Sequence, residues 1–276
     1  MLRLFLWHPN AYPDLVSQPV SEPASEPVSE PENSSDLLDR IESFVPRTDF
    51  TISPLATGSL AELLNWWGQR GSNFQPVSID INIDTVPNFE MGVHRVDAAV
   101  DSGATLIHFT SDIDVDPILT RSIIGLLTRK DAWQVTFEGA GAGATDSHVM
   151  TQLAETVTMM RAHREKRGNA RALADLDPSG VIAFYTGALL AAAARKTPVI
   201  LGSTQELAAA LIAHRISMKA SSWWRNGSTS PDRAVGQAIE RMSIPAGLPL
   251  NLSEDQGIGA QISIELLNTF TGGQDS

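Results

Sequence analysis

The sequence predicts a parallel α/β sheet flanked by helices, Rossmann-like and three-layered, with a small helical satellite. Three observations predict it. From residue 77 onward, short β-branched runs alternate with helical apolar spacing, the pattern of strands joined by crossover helices. The stretch 198–201 (Pro-Val-Ile-Leu) is apolar throughout, as a strand buried on both faces must be. By contrast, Val77, Ile79, Ile81 and Ile83 alternate with Ser78, Asp80 and Asn82, as a strand with one wet face does.

Taken in order, residues 1–34 read as a disordered tail and 35–276 as the folded domain. Residues 18–33 carry a tandem Ser-Glu-Pro repeat, too polar to bury apolar area, so Glu22, Glu26, Glu30 and Glu32 belong to a solvated linker. The opening apolar residues Leu2, Leu4, Phe5 and Trp7 are interrupted by His8, Pro9 and Pro13, too soon for a signal peptide; a docking tail is the other reading of them. Leu37, Leu38, Ile41 and Phe44 give a short helical face. Ser59-Leu-Ala-Glu62 is a capping box opening a helix through Leu60, Leu63, Leu64, Trp66 and Trp67. Strands are then expected at 77–83, 104–109, 133–137, 198–201 and 248–252. Helices are expected at 93–100, 118–127, 146–164, 181–194, 205–214, 231–242 and 259–270.

The chain has 276 residues, long enough for a core without staples. It contains no cysteine, which excludes disulfides, thiolate metal sites and cysteine nucleophiles. With 20 Lys and Arg against 32 Asp and Glu, the net charge of −12 disfavours nucleic-acid and anionic-membrane partners. No apolar run approaches membrane-spanning length, so a cytoplasmic protein is expected.

In a parallel sheet, ligands sit beyond the carboxyl ends of the strands, which directs attention to the loops at 110–117, 138–146, 202–205, 225–231 and 253–259. Gly139-Ala-Gly-Ala-Gly143, leading to Asp146, has the form of a loop that lets backbone N–H groups approach a phosphate. It lacks the Lys-Ser/Thr of a P-loop and the dinucleotide spacing, and tight turning explains such a loop equally well. Ser253-Glu-Asp-Gln-Gly-Ile-Gly259 places carboxylates at the same edge, where Glu254 is either a general base or a solvated loop acid. Asp112, Asp114 and Asp116 follow a strand and are weak candidates for Mg²⁺ or Ca²⁺ ligands, and their charge repels any phosphate at that edge. The histidines His8, His94, His108, His148, His163 and His214 show no ligand pairing, and the consecutive Asp146, Ser147 and His148 do not face one another as a triad would. Trp223-Trp224 is expected to pack on the sheet rather than to floor a pocket.

Between 37 and 270 the residues resemble the nicotinate-nucleotide–dimethylbenzimidazole phosphoribosyltransferase family. Five segments carry the resemblance in order. Gly58-Ser-Leu-Ala-Glu-Leu is similar to the family's Gly-Ser-Leu-Gly-x-Leu-Glu, and Gly139 to Asp146 to its Gly-Arg-Gly-Thr-Gly-x-Asp-Asp loop. Gly187 to Leu201 resembles its Gly-x-x-x-x-Ala-Ala-x-Arg-Arg-x-Pro-Val-x-Leu segment. Trp223 to Ser230 echoes its Gly-His-Arg-Ser loop, and Leu250 to Ala260 its Leu-x-Met-Arg-Leu-Gly-Glu-Gly-x-Gly-Ala. The resemblance implies transfer of phosphoribose from nicotinate mononucleotide to 5,6-dimethylbenzimidazole, a step in cobalamin nucleotide-loop assembly. It also implies small-molecule substrates, no cofactor and a homodimer. Carried over, it implies substrate contacts at Gly139, Gly141, Gly143, Asp146, Gly257 and Gly259, and a catalytic base at Glu254; the ungapped match falls on Gln256.

The chemical segments depart from the family pattern. Its Gly-Glu/Asp-Met-Gly-Ile-Gly-Asn-Thr-Thr phosphate loop corresponds to Ser111 to Leu119, where Asp114 and Asp116 replace the cradle glycines and Pro117 the asparagine. At an effective dielectric near 20, each carboxylate about 4 Å from a phosphate charge costs on the order of 4 kcal/mol. The family's Ala-Gly-Asp-His-Gly-Val segment is absent after the first strand, its His-Arg falls on Ser228-Thr229, and an aspartate becomes Gly202. The alternative is therefore a non-catalytic relative that binds a heterocycle or a partner protein.

Overall fold

A computed structural model describes residues 34–41, 44–48, 56–70, 76–83, 87–136, 146–252 and 257–271, within the compact unit Glu32–Ser276. Helices α1 (Ser34–Arg40) and α2 (Gly58–Arg70) lead to strand β1 (Ser78–Ile83), helix α3 (Phe89–Asp101) and strand β2 (Leu106–Ser111). Helices α4 (Pro117–Thr128), α5 (Ala132–Val135) and α6 (Asp146–Ala162), a 3₁₀ turn Arg164–Gly168, α7 (Ala170–Ala174) and α8 (Val181–Ala194) connect β2 to β3 (Val199–Leu201). Helix α9 (Thr204–Ile216) and a 3₁₀ turn Met218–Trp223 lead to β4 (Trp224–Asn226). Helices α10 (Arg233–Met242) and α11 (Ile258–Thr271) follow.

The four strands are parallel in the order β1-β2-β3-β4, so the predicted α/β architecture is present. Each face of the sheet has its own core. Ile81, Ile83, Ile107, Phe109, Val199 and Leu201 pack into the larger one with α3, α4, α8 and α9. Leu106 and Ile200 point the other way, against Leu63, Leu64, Trp66 and Trp67 of α2 and Ile264 and Leu267 of α11. Helix α8 is buried on all sides, as the centre of a helical layer requires, and it meets α3 through two glycines. A Cβ at Gly92 would overlap the Phe184 carbonyl oxygen, and one at Gly187 the Phe89 carbonyl oxygen.

Three readings change. The segment expected as a strand at 133–137 begins as α5: Asp131 and Gln134 form a reciprocal capping box, and Thr136 Oγ1 donates to the Ala132 carbonyl at 2.7 Å. Local side-chain hydrogen bonds there override the apolar run that suggested a strand. The strand expected at 248–252 is reduced to one parallel bridge between Ser228 and Leu248, because left-handed backbone at Gly247 (φ 90°) and Asn251 (φ 53°) turns the chain on either side. Conversely, β4 lies where a polar loop was expected, and Trp224 at its start is fully buried against the sheet, as its packing role predicted. The tail residues 1–33 lie outside the described residues.

Candidate functional site

The carboxyl edge of the sheet gathers the turns after β2, β3 and β4 and the start of α11. The chain closes this edge tightly. Gly257, held at φ 94°, donates its N–H to the Gly202 carbonyl at 3.2 Å. A Cβ at Gly202 would stand 2.6 Å from the Gly257 Cα, and one at Gly227 would stand 2.6 Å from the Gly259 carbonyl carbon. Ser263 Oγ donates to the Gly227 carbonyl at 2.9 Å. The first turn of α11 is thus seated on the ends of β3 and β4, and only glycine at 202 and 227 permits the approach.

Helix N-termini with free N–H groups are the usual anion sites at such an edge. Here each of five is filled by a side chain of the chain itself. Asp116 Oδ1 accepts the Ile118 N–H of α4 at 2.8 Å, and Pro117 contributes no donor. Asp177 accepts from Ile182 at the start of α8 at 3.0 Å, and Asp232 from Ala234 at the start of α10 at 2.9 Å. Ser203 accepts from Glu206 at the start of α9, while the buried Glu206 carboxylate takes the Gly202 N–H and the Ser203 hydroxyl, both at 2.8 Å. Asn88 caps α3 through Met91 at 2.8 Å. Four of these helix starts therefore carry a carboxylate where a phosphate would have to sit.

Asp112 and Asp114 are exposed on the loop after β2, between Ile113 and Val115, which turn inward. Among the described residues, no group of three or more His, Asp or Glu side chains is arranged to hold a metal ion. Asp146 opens α6, with nothing of its side chain described; Gly139, Gly141, Gly143, Glu254 and Gln256 lie outside the described residues. Of the residues expected to contact substrate, the structure therefore brings Gly257 and Gly259 to the carboxyl edge. In the Asp146, Ser147 and His148 triplet, His148 stands 3.1 Å from Gln152 on the exposed side of α6.

Two groups near the edge carry perturbed chemistry that the sequence did not single out. His108 on β2 stands beside Asp80 on β1 (3.6 Å), whose other oxygen accepts the Thr110 hydroxyl at 2.7 Å. Burial pushes the His108 pKa down, and the Asp80 charge opposes this. Tyr185 of α8 is fully buried, its ring 5.2 Å from that of Phe109 and its hydroxyl directed toward Ser111 and Gln205. Burial first, then the charge of Glu206, pushes its pKa up, so it stays protonated. The signal for the first pair was present in the sequence, since Asp80 falls on the wet face of its strand. Only the β1–β2 register, which aligns Asp80 with His108, makes it a pair.

Comparison with known proteins places these features. A family model described as phosphoribosyltransferase matches residues 84–271. The nicotinate-nucleotide–dimethylbenzimidazole phosphoribosyltransferase of Streptomyces avermitilis is 32% identical over 180 residues, 65% of this chain and 48% of that protein. The enzyme of the same name from Mycobacterium tuberculosis is 27% identical over 208 residues, 72% of this chain and 55% of that protein. The chain spans about half the length of the curated relatives it matches. A crystal structure of the Thermus thermophilus protein of that name superposes with a TM-score of 0.55 at 16% identity, over 66% of this chain and 53% of that one, a likeness of fold. A match from α3 through β2, β3, β4 and α11, covering well over half the residues, is what common descent leaves, and the chain belongs to the phosphoribosyltransferase family that includes the nicotinate-nucleotide–dimethylbenzimidazole enzymes.

Proposed function

We propose that this chain is a non-catalytic member of the family, which keeps the scaffold and does not transfer phosphoribose. The observation that carries this reading is the start of α4. The family's phosphate loop corresponds to this turn, and here the Asp116 carboxylate already accepts the Ile118 N–H while Pro117 offers none. A phosphate arriving there meets a negative charge instead of a free donor. The seating of Gly257 and Gly259 on Gly202 and Gly227 supports the same reading, since backbone occupies the space above β3 and β4.

A second reading keeps the transfer reaction, with Glu254 taking the benzimidazole N–H proton. It is favoured by one fact: Gly257 is anchored at the carboxyl edge, and the family resemblance puts the catalytic glutamate in the segment that leads to it. Incubation of the folded protein with nicotinate mononucleotide and dimethylbenzimidazole, followed by assay of released nicotinate, separates the two. Release no faster than in buffer is expected. Turnover that Glu254→Gln abolishes overturns the proposal.

A further inference from the structure

Two cavities lie at the far end of the molecule from this edge. Helix α4 runs 12 residues away from it, about 18 Å. At its C-terminal end a cavity of about 300 Å³ is lined by the guanidinium-bearing residues Arg129, Arg164, Arg167, Arg215 and Arg241 and by one acid, Glu165. All five arginines are exposed, and none forms a hydrogen bond or ion pair with a described residue, unlike Arg121, Arg195 and Arg70 elsewhere. They arrive from separate elements: the end of α4, the 3₁₀ turn after α6, the end of α9 and the end of α10. In a chain of net charge −12, five unpaired guanidiniums converging on one hollow run against the overall balance.

Two further observations bear on it. Arg129 occupies the left-handed C-cap of α4 (φ 60°), a position glycine fills without strain, so the fold tolerates backbone cost to keep an arginine there. His214, half-buried on α9, has its pKa pushed down first by burial and then by the charge of Arg241. A second cavity of about 560 Å³ shares Arg129, Arg164 and Arg167 with the first and adds the exposed indole of Trp133 and the apolar chains of Val157 and Met160.

We propose that this arginine-lined hollow is a binding site for a compact polyphosphate anion. Planar guanidiniums grip phosphate oxygens two at a time, and several of them around a small volume match a ligand with several adjacent phosphates. Extended polyanions such as nucleic acids fit poorly, because beyond the hollow they meet the acidic remainder of the surface. The neighbouring compartment at Trp133 takes an organic group when the polyphosphate carries one. This site does not depend on whether the carboxyl edge is catalytic.

Titration calorimetry with sodium tripolyphosphate at low salt tests the proposal, beside orthophosphate and adenosine triphosphate. Saturable tripolyphosphate binding is expected, about tenfold or more tighter than orthophosphate and weakened by added salt. Arg129→Gly removes a guanidinium while relaxing the left-handed backbone. It is expected to weaken binding severalfold with the unliganded melting temperature unchanged or raised. Arg164→Ala/Arg167→Ala is expected to weaken it by about tenfold or more, whereas Arg95→Ala on α3 leaves it unchanged. Binding also raises the His214 pKa, read by NMR. Tighter binding of adenosine triphosphate assigns the Trp133 compartment to the organic group, and equal binding makes the polyphosphate the whole recognised unit; both support the site. Absence of saturable binding at millimolar tripolyphosphate overturns it. So does equal affinity in the double variant, equal loss in Arg95→Ala, or orthophosphate bound as tightly.

Discussion

Asp116 shows how one residue changes what an edge can do. As the cap of α4 it stabilises the fold, and as a carboxylate it occupies the donor an incoming anion needs. Asp116→Ala is expected to lower stability by about 1 kcal/mol, measured by urea unfolding, the usual effect of losing an N-cap. The same variant frees the Ile118 N–H. His108 and His214 make the other residue-scale prediction. Both have folded-state pKa values below the ordinary 6.5, chiefly through burial. The unfolded chain therefore binds protons first, and the stability these groups contribute is complete above about 6.5 and lost as the pH falls below it. The melting temperature should fall between pH 7.5 and 5.5, and His214→Gln should shrink the fall. A variant as acid-sensitive as the parent would exclude His214 from the effect.

At the scale of elements, the pairing of α3 with α8 depends on two glycines whose absent side chains let the backbones touch. Gly187→Ala, or Gly92→Ala, is expected to destabilise by about 1–3 kcal/mol in denaturant unfolding, because a Cβ there must displace backbone on the facing helix. Helix α8 itself was legible from Val181 to Ala194, since an apolar run of that length and alanine content has no other good conformation. The strand β4 was not. Its three residues, Trp224, Arg225 and Asn226, are buried on both faces, so no alternation marks them, and they pair through backbone groups that any sequence possesses. The buried Arg225 guanidinium, pulled down to about 10 by burial, is a residue that composition alone would have placed on the surface.

For the whole molecule, charge is the quantity that structure redistributes. The sequence yields a net −12 and disfavours nucleic-acid and anionic-membrane partners on that ground, yet five arginines from four separate elements meet around one hollow while carboxylates crowd the opposite edge. Their meeting is set by where α4, α9 and α10 end, which no spacing rule encodes. The candidate site divides in the same way. The sequence placed Gly257, Gly259 and the Asp112 to Asp116 loop at strand ends, because strand and helix alternation fixes which loops share an edge. It left open whether those loops enclose space.

By itself, then, the sequence determined the parallel sheet, its helical layers and the altered loops of its family, since periodicity and local residue chemistry act over a few neighbours. Only the tertiary structure decided that α11 closes over β3 and β4 and that the arginines converge. Those outcomes depend on contacts between segments distant in the chain, such as Gly257 with Gly202, whose geometry is fixed only when both cores are packed.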